Sequence, residues 1–136
     1  MDLMESLMIS AAGMRAQGQR LRVVAENLAN ADSVSTSATG EPYRRRIAAM
    51  TSEFDRELNA NVVQLIEPIP DRTEFRLQYD PGNPRADTSG YVRLPNVNAL
   101  VEMMDMRDAQ RSYEANIQAL EGARSMLVRT IDLLRR

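Results

Sequence analysis

The 136-residue chain contains no cysteine, histidine, lysine or tryptophan, and only two Phe and four Tyr. Those absences close most catalytic chemistries: there can be no thiolate nucleophile, imidazole base, zinc-finger ligand set, Schiff base or Walker lysine. What remains is carboxylate and hydroxyl chemistry, and no pair of buried carboxylates can be picked out of the pattern. The expectation is a protein that is not an enzyme, with no catalytic, cofactor-binding or metal-binding residues. The lack of cysteine fits a reducing or an oxidising compartment equally. Long hydrophobic runs are missing too. The apolar stretches fall far short of the roughly 20 residues that cross a bilayer, so no transmembrane segment is expected. Asp2 and Glu5 stand where a secretory leader would carry basic residues, so a cleaved signal peptide is not expected either.

Charge of one sign is also lacking. The net charge is −2, and all 17 basic residues are Arg. Residues 1–31 and 96–136 each balance their Arg and acidic residues, leaving no general attraction to nucleic acid or anionic lipid.

What the chain does have is helical periodicity at both ends. Leu7, Met14, Leu21 and Leu28 recur at every seventh residue, with Met4, Ala11, Gly18 and Ala25 three places ahead of each. That is the a/d seam of a coiled coil. Met106, Tyr113, Leu120, Leu127 and Leu134 repeat the step near the other end, with Ile117 and Ile131 four residues after two of them. A first helix is predicted from about Asp2 to about Ala31, roughly 45 Å long, and a second from Asn96 as its N-cap to the last residues, roughly 60 Å. The Ser- and Thr-rich run after Asn30 ends the first helix by offering side-chain hydrogen bonds to the backbone.

Between the helices the period disappears. Residues 46–50, 62–66 and 73–79 read as short strands, Pro68 and Pro70 interrupt them, and Asp80-Pro81-Gly82-Asn83-Pro84 and Thr88-Ser89-Gly90 read as turns. The predicted fold is therefore mainly α: two long terminal helices pairing as a coiled coil, 1–31 and 96–136, around a small β-rich or irregular insert, 32–95. An insert so poor in aromatics can bury only a small core, so the helices need further apolar cover. Val23, Val24, Leu100, Val101, Met103 and Met126 are expected to stay uncovered in a single antiparallel pair, to be buried by further copies or related chains.

Three clusters invite sharper readings. Glu102, Asp105 and Asp108 share a helical face and could hold a divalent ion, though a solvated face is preferred. Arg44, Arg45 and Arg46 beside Tyr43 could meet phosphates, yet without a stacking platform a surface or subunit-interface patch is preferred and no nucleic-acid partner is expected. The nine methionines, Met103, Met104 and Met106 among them, read as core or intersubunit packing.

Five segments together carry a resemblance: Glu26-Asn27-Leu28-Ala29-Asn30-Ala31-Asp32, Pro42-Tyr43-Arg44-Arg45-Arg46, Tyr79-Asp80-Pro81-Gly82-Asn83-Pro84, Gly90-Tyr91-Val92 and Arg111-Ser112-Tyr113-Glu114-Ala115-Asn116. In this order and at this length the chain resembles the bacterial flagellar basal-body rod family, and in particular its proximal-rod members. The resemblance implies a structural subunit of the helical drive shaft within the periplasm, carried out by the flagellar type III export apparatus without a cleaved leader. The partners it implies are other copies of itself, other rod proteins and the adaptor between rod and MS ring. It also implies that Leu7, Met14, Leu21, Leu28, Tyr113, Ile117, Leu120, Leu127 and Ile131 carry helix packing in the assembly, and that Asn27, Asn30 and Asn116 carry polar contacts that set register. The competing reading is a soluble cytoplasmic coiled-coil adaptor or export chaperone, which the heptads alone would permit.

Overall fold

A computed structural model of the protein describes residues 3–35 and 40–135. Asp2, where the first helix is expected to begin, lies outside the described residues, as does Arg136. The heptad-patterned ends form two helices, α1 (Leu3–Ala29) and α2 (Ala99–Leu134). Between them lie six short strands, β1 (Arg46–Ile47), β2 (Met50–Asp55), β3 (Ala60–Leu65), β4 (Ile69–Pro70), β5 (Arg76–Tyr79) and β6 (Tyr91–Leu94). They pair as three separate antiparallel ladders, β1 with β4, β2 with β3 and β5 with β6. Two-stranded ladders are marginal alone, so each depends on what it packs against.

The predicted start of α2 shifts by two residues. Asn98, rather than Asn96, is the N-cap: its Oδ1 accepts the Leu100 N–H at 3.1 Å and its carbonyl accepts the Glu102 N–H at 3.0 Å. The Asn96 side chain is occupied elsewhere, accepting the Arg45 N–H at 2.8 Å and donating to the carbonyls of Asp71 and Thr73.

The contacts divide the chain into two compact units. The first comprises residues 1–21, 49–66 and 107–136. There α1 meets α2 where Gly13 lies against Asn116: a Cβ at Gly13 would stand 2.9 Å from the Asn116 carboxamide. That carboxamide donates to the Ser112 carbonyl one turn back at 2.9 Å, so it lies along its own helix and leaves room for the α1 backbone. The β2–β3 hairpin keeps full register from Met50↔Leu65 to Asp55↔Ala60, and Val62 is its buried residue. Its turn is closed by the Asp55 carboxylate, which accepts the Glu57 and Leu58 N–H groups, and by Asn59 in the left-handed region at φ 49°. The buried apolar residues of this unit are all small: Ala12, Ala16, Val62, Ala109 and Ala123.

The second unit comprises residues 22–48 and 67–106. Val23, Val24, Ala31, Val92 and Val97 form its apolar interior. Val23 and Val24 therefore depart from the expectation that they await a partner chain: this unit covers them itself. Both turns predicted from Pro, Gly and Asp appear in the connection from β5 to β6, where Gly90 at φ +84° sits under the Tyr79 ring and Asp87 accepts the Ser89 and Tyr91 N–H groups. Tyr79 and Tyr91, directly paired in register, meet edge to face at 5.3 Å.

Candidate assembly surfaces

The most constrained chemistry in the molecule is a polar cluster inside the second unit. Glu102, in the first turn of α2, has no solvent exposure, and Asn27, in the last turns of α1, is 1% exposed. Asn27 Nδ2 donates to Glu102 Oε2 at 3.0 Å and to the Arg46 carbonyl at 2.8 Å, while its Oδ1 accepts the Arg46 N–H and the Tyr43 hydroxyl, both at 2.9 Å. One carboxamide thus ties the end of α1 to the start of α2 and to the 43–46 segment. The remaining Glu102 oxygen accepts Arg45 Nε at 2.6 Å, a charge-assisted bond at the short end of its range. Arg45 also reaches Asp71 at 3.4 Å and Asp105 at 3.8 Å.

These contacts correct the solvated-face reading at Glu102, whereas Asp105 is half-buried and Asp108 is exposed. Glu102 is not on a solvated face: a carboxylate this deeply buried is tolerable only when paired and hydrogen-bonded, as it is by Arg45 and Asn27. Among the described residues no group of three or more acids is placed to hold a metal ion. Each member of the arginine triplet has a partner within the subunit, although Arg46 and its partner Glu26 keep 42% and 44% of their side-chain exposure. Arg44 stacks on Phe75 at 4.2 Å from the ring centre, Arg45 enters the cluster, and Arg46 pairs with Glu26 at 3.3 Å. Arg76 adds a further tie by donating to the Ala31 carbonyl at 2.7 Å, beyond the end of α1.

The environment perturbs three side chains of this cluster. Burial and the negative charge of Glu26 push the Tyr43 hydroxyl above its usual pKa, against the opposing pull of Arg46. Partial burial acts to lower the Arg45 pKa, but hydrogen bonds and charge from Glu102, then Asp71, outweigh it and raise it. Asp71 is held below the usual carboxylate range by hydrogen bonds from the Thr73 N–H and side chain, with a further contribution from Arg45.

The residues expected to carry assembly fall into distinct environments. Asn27 is buried in the cluster. Asn30 is half-buried and turned back on its own helix, donating to the Glu26 carbonyl at 2.8 Å. Asn116 lies against Gly13. Leu7, Met14, Leu21 and Leu28 are all half-buried, as are Tyr113, Ile117, Leu120 and Leu127, and Ile131 is exposed. Ala109 and Ala123 were missed by the sequence reasoning, yet they are among the most buried residues of α2. They lie three residues after Met106 and Leu120, where a strict heptad puts its second seam position. Leu100, Val101, Met103 and Met126 are exposed as predicted, and so are Met4, Met8 and Met104. Among the described residues no helix is long and apolar enough to cross a membrane.

Residues 88–133, from just before β6 through nearly all of α2, match the family model described as the C-terminal part of flagellar basal body rod FlgEFG proteins. The chain is 46% identical over 127 residues to the flagellar basal-body rod protein FlgC of Agrobacterium fabrum, covering 93% of this chain and 91% of that protein. It is 39% identical to the FlgC of Escherichia coli O6:H1, with 98% of each chain covered, and 36% identical to that of Bacillus subtilis, with 98% and 99% covered. The chain belongs to the flagellar basal-body rod protein FlgC family. It is a structural subunit of the rod in the flagellar basal body, and the resemblance read from the five sequence segments is borne out. Those FlgC segments now have physical roles. Asn27 from the first segment and Tyr43, Arg45 and Arg46 from the second are partners in one polar cluster, and the segments holding Tyr79 and Tyr91 pair as one hairpin. Nothing in the similarity to FlgC proteins favours the adaptor or chaperone reading.

Proposed function

We propose that this subunit polymerises with copies of itself and with other rod proteins into the proximal part of a helical shaft, which crosses the periplasm and transmits motor torque. Segments 1–31 and 96–136 act as the assembly helices, their heptad seams packing as coiled coils within and between subunits, and 32–95 faces neighbouring rod proteins. The observation that carries this reading is the distribution of exposed apolar side chains. Met4 and Met8 on α1, and Leu100, Met103, Met104, Met126, Leu133 and Leu134 on α2, stand in water in the single chain. Apolar surface on that scale along helices marks sites of association. The half-buried seam residues Leu7, Met14, Leu21, Leu28, Tyr113, Ile117, Leu120 and Leu127 would complete their burial in the shaft.

Heterologous contacts between identical subunits generate an open helix, the geometry that a shaft needs. In this reading the chain passes through the flagellar type III export apparatus and meets the adaptor between rod and MS ring at one end of its layer. Deletion of the gene followed by imaging of extracted basal bodies tests the proposal. The expected result is shafts cut short near the inner membrane and loss of swimming, both restored by the intact gene. Full-length rods in the deletion strain would overturn it.

A further inference from the structure

The ladders β1–β4 and β2–β3 are successive stretches of one antiparallel ribbon with a fault in its register. Ile47 pairs with Ile69 and Met50 with Leu65, so two residues on one strand, Ala48 and Ala49, stand opposite three on the other, Ile66, Glu67 and Pro68. That is a β-bulge. Pro68 has no N–H to give, and among the described residues a single backbone bond crosses the fault, from the Ile66 N–H to the Ala49 carbonyl at 2.9 Å. Beyond the fault, the β2–β3 hairpin is lightly seated in the first unit. Val62 is its one buried residue, and strand pairing places Thr51, Glu53, Asp55, Ala60 and Gln64 on the side of Val62, none of them a large apolar side chain. A half-open cleft of about 330 Å³ lies between the hairpin and α1, lined by buried Ala12, Ala16 and Val62 and by exposed Arg15 and Gln19. At the base of the hairpin, Gln17 Nε2 meets the Met50 thioether at 3.8 Å, and Gln17 Oε1 is buried with no hydrogen-bond partner. A thioether is a weak acceptor, and an unpaired buried oxygen carries a desolvation cost that nothing offsets.

We propose that the β2–β3 hairpin is a hinged arm, which turns at the bulge of residues 48–49 and 66–68 and moves between a closed position on α1 and an open one lifted from it. The bulge supplies the pivot, since a ribbon bends where its ladder is interrupted and a single bond is left to tilt. The seating is weak because it buries one valine, and an unseated hairpin regains conformational freedom. Opening also brings water to Gln17 Oε1, so the closed position carries a penalty that the open one relieves. Few buried contacts and an exposed ladder are the marks of an element that opens locally while its surroundings stay folded. In the shaft, an arm with two positions would let one sequence fit neighbours of unlike shape. That use rests on the polymerisation proposed above, whereas the motion itself does not.

The absence of native cysteine lets paired spin labels report distances in the purified full-length subunit without background. Glu57→Cys in the hairpin turn with Gln110→Cys on α2 is expected to give two distances, and Met8→Cys on α1 with Gln110→Cys a single one. Gln17→Met removes the unpaired amide and is expected to shift the arm at least about five-fold toward the closed distance. Ile66→Pro removes the one N–H that crosses the bulge and is expected to shift it toward the open distance. A single narrow distance for the arm pair, or two distances whose proportions neither substitution moves, would overturn the hinge. So would a spread in the Met8–Gln110 pair equal to that of the arm pair, because the helices and not the arm would then be moving. Either result leaves the rod role standing, which normal rods in a deletion strain would overturn instead.

Discussion

Removing Arg45 tests whether the polar cluster holds the second unit together. Glu102 has no exposed surface and two donors, Arg45 Nε at 2.6 Å and Asn27 Nδ2 at 3.0 Å. Arg45→Met leaves its charge buried with a single neutral donor. Breaking a buried pair from one side costs about 3–5 kcal/mol, and because the Arg45 side chain keeps 22% of its exposure, the lower end applies, about 3 kcal/mol. Glu102→Gln preserves shape but turns an amide N–H toward one of the two donors, costing about 1–3 kcal/mol. Arg45→Met with Glu102→Met removes both charges and fills the site with apolar volume, so its cost should fall well below the sum of the two Met substitutions made singly, with a coupling of about 2 kcal/mol. Urea unfolding followed by circular dichroism at 222 nm reads these differences. With an m value of about 1.5–2 kcal/mol/M, Arg45→Met moves the midpoint down by about 1.5–2 M. Hydrogen exchange at residues 22–48 and 99–106 should localise the loss. If Arg45→Met costs under about 1 kcal/mol, or if the two Met substitutions are additive, the cluster is not the coupled unit described here.

Three further predictions follow from single positions. Gly122→Ala meets nothing within 4 Å and should stabilise the free chain by about 1 kcal/mol through helix propensity, whereas Gly13→Ala drives a methyl against Asn116 and should show no gain or a loss of about 1–2 kcal/mol in thermal melts. Gly90→Ala combines a positive φ with a Cβ 2.9 Å from the Tyr79 ring, so it should cost at least about 2 kcal/mol and displace the Tyr79 and Tyr91 aromatic proton resonances. The raised Tyr43 pKa makes its neutral form a source of stability that is complete below about pH 10, the unfolded value, and is lost as pH rises through the higher folded value. Titration at 295 nm should therefore show a late tyrosinate step that Tyr43→Phe removes.

The helices were legible because seven-residue spacing survives any change of surroundings, and both appear within a few residues of the predicted limits. The error at the start of α2 has a physical cause. Asn96 and Asn98 are equally good caps in isolation, and the first is claimed by the Arg45 N–H, 51 residues away in the chain. The strand β2 escaped notice because Met50-Thr51-Ser52-Glu53-Phe54-Asp55 has no apolar alternation, whereas β3 opposite it was recognised from Val62 to Leu65. Glu102 was the hardest residue to read. A glutamate in a first helical turn looks like an ordinary solvated acid favouring the macrodipole, and only the return of Arg45 from 57 residues earlier reveals that it is buried.

The polar cluster bears on stiffness as well as on stability. Alanine and valine interiors offer smooth surfaces along which neighbouring elements can slide, since dispersion attraction hardly depends on direction. Bonds that converge on the Asn27 carboxamide and the Glu102 carboxylate are directional, and weaken steeply once their angles are bent. In a rotating shaft, twist applied to this unit would therefore meet an angular restoring force at Asn27 and Glu102, where a purely greasy joint would creep.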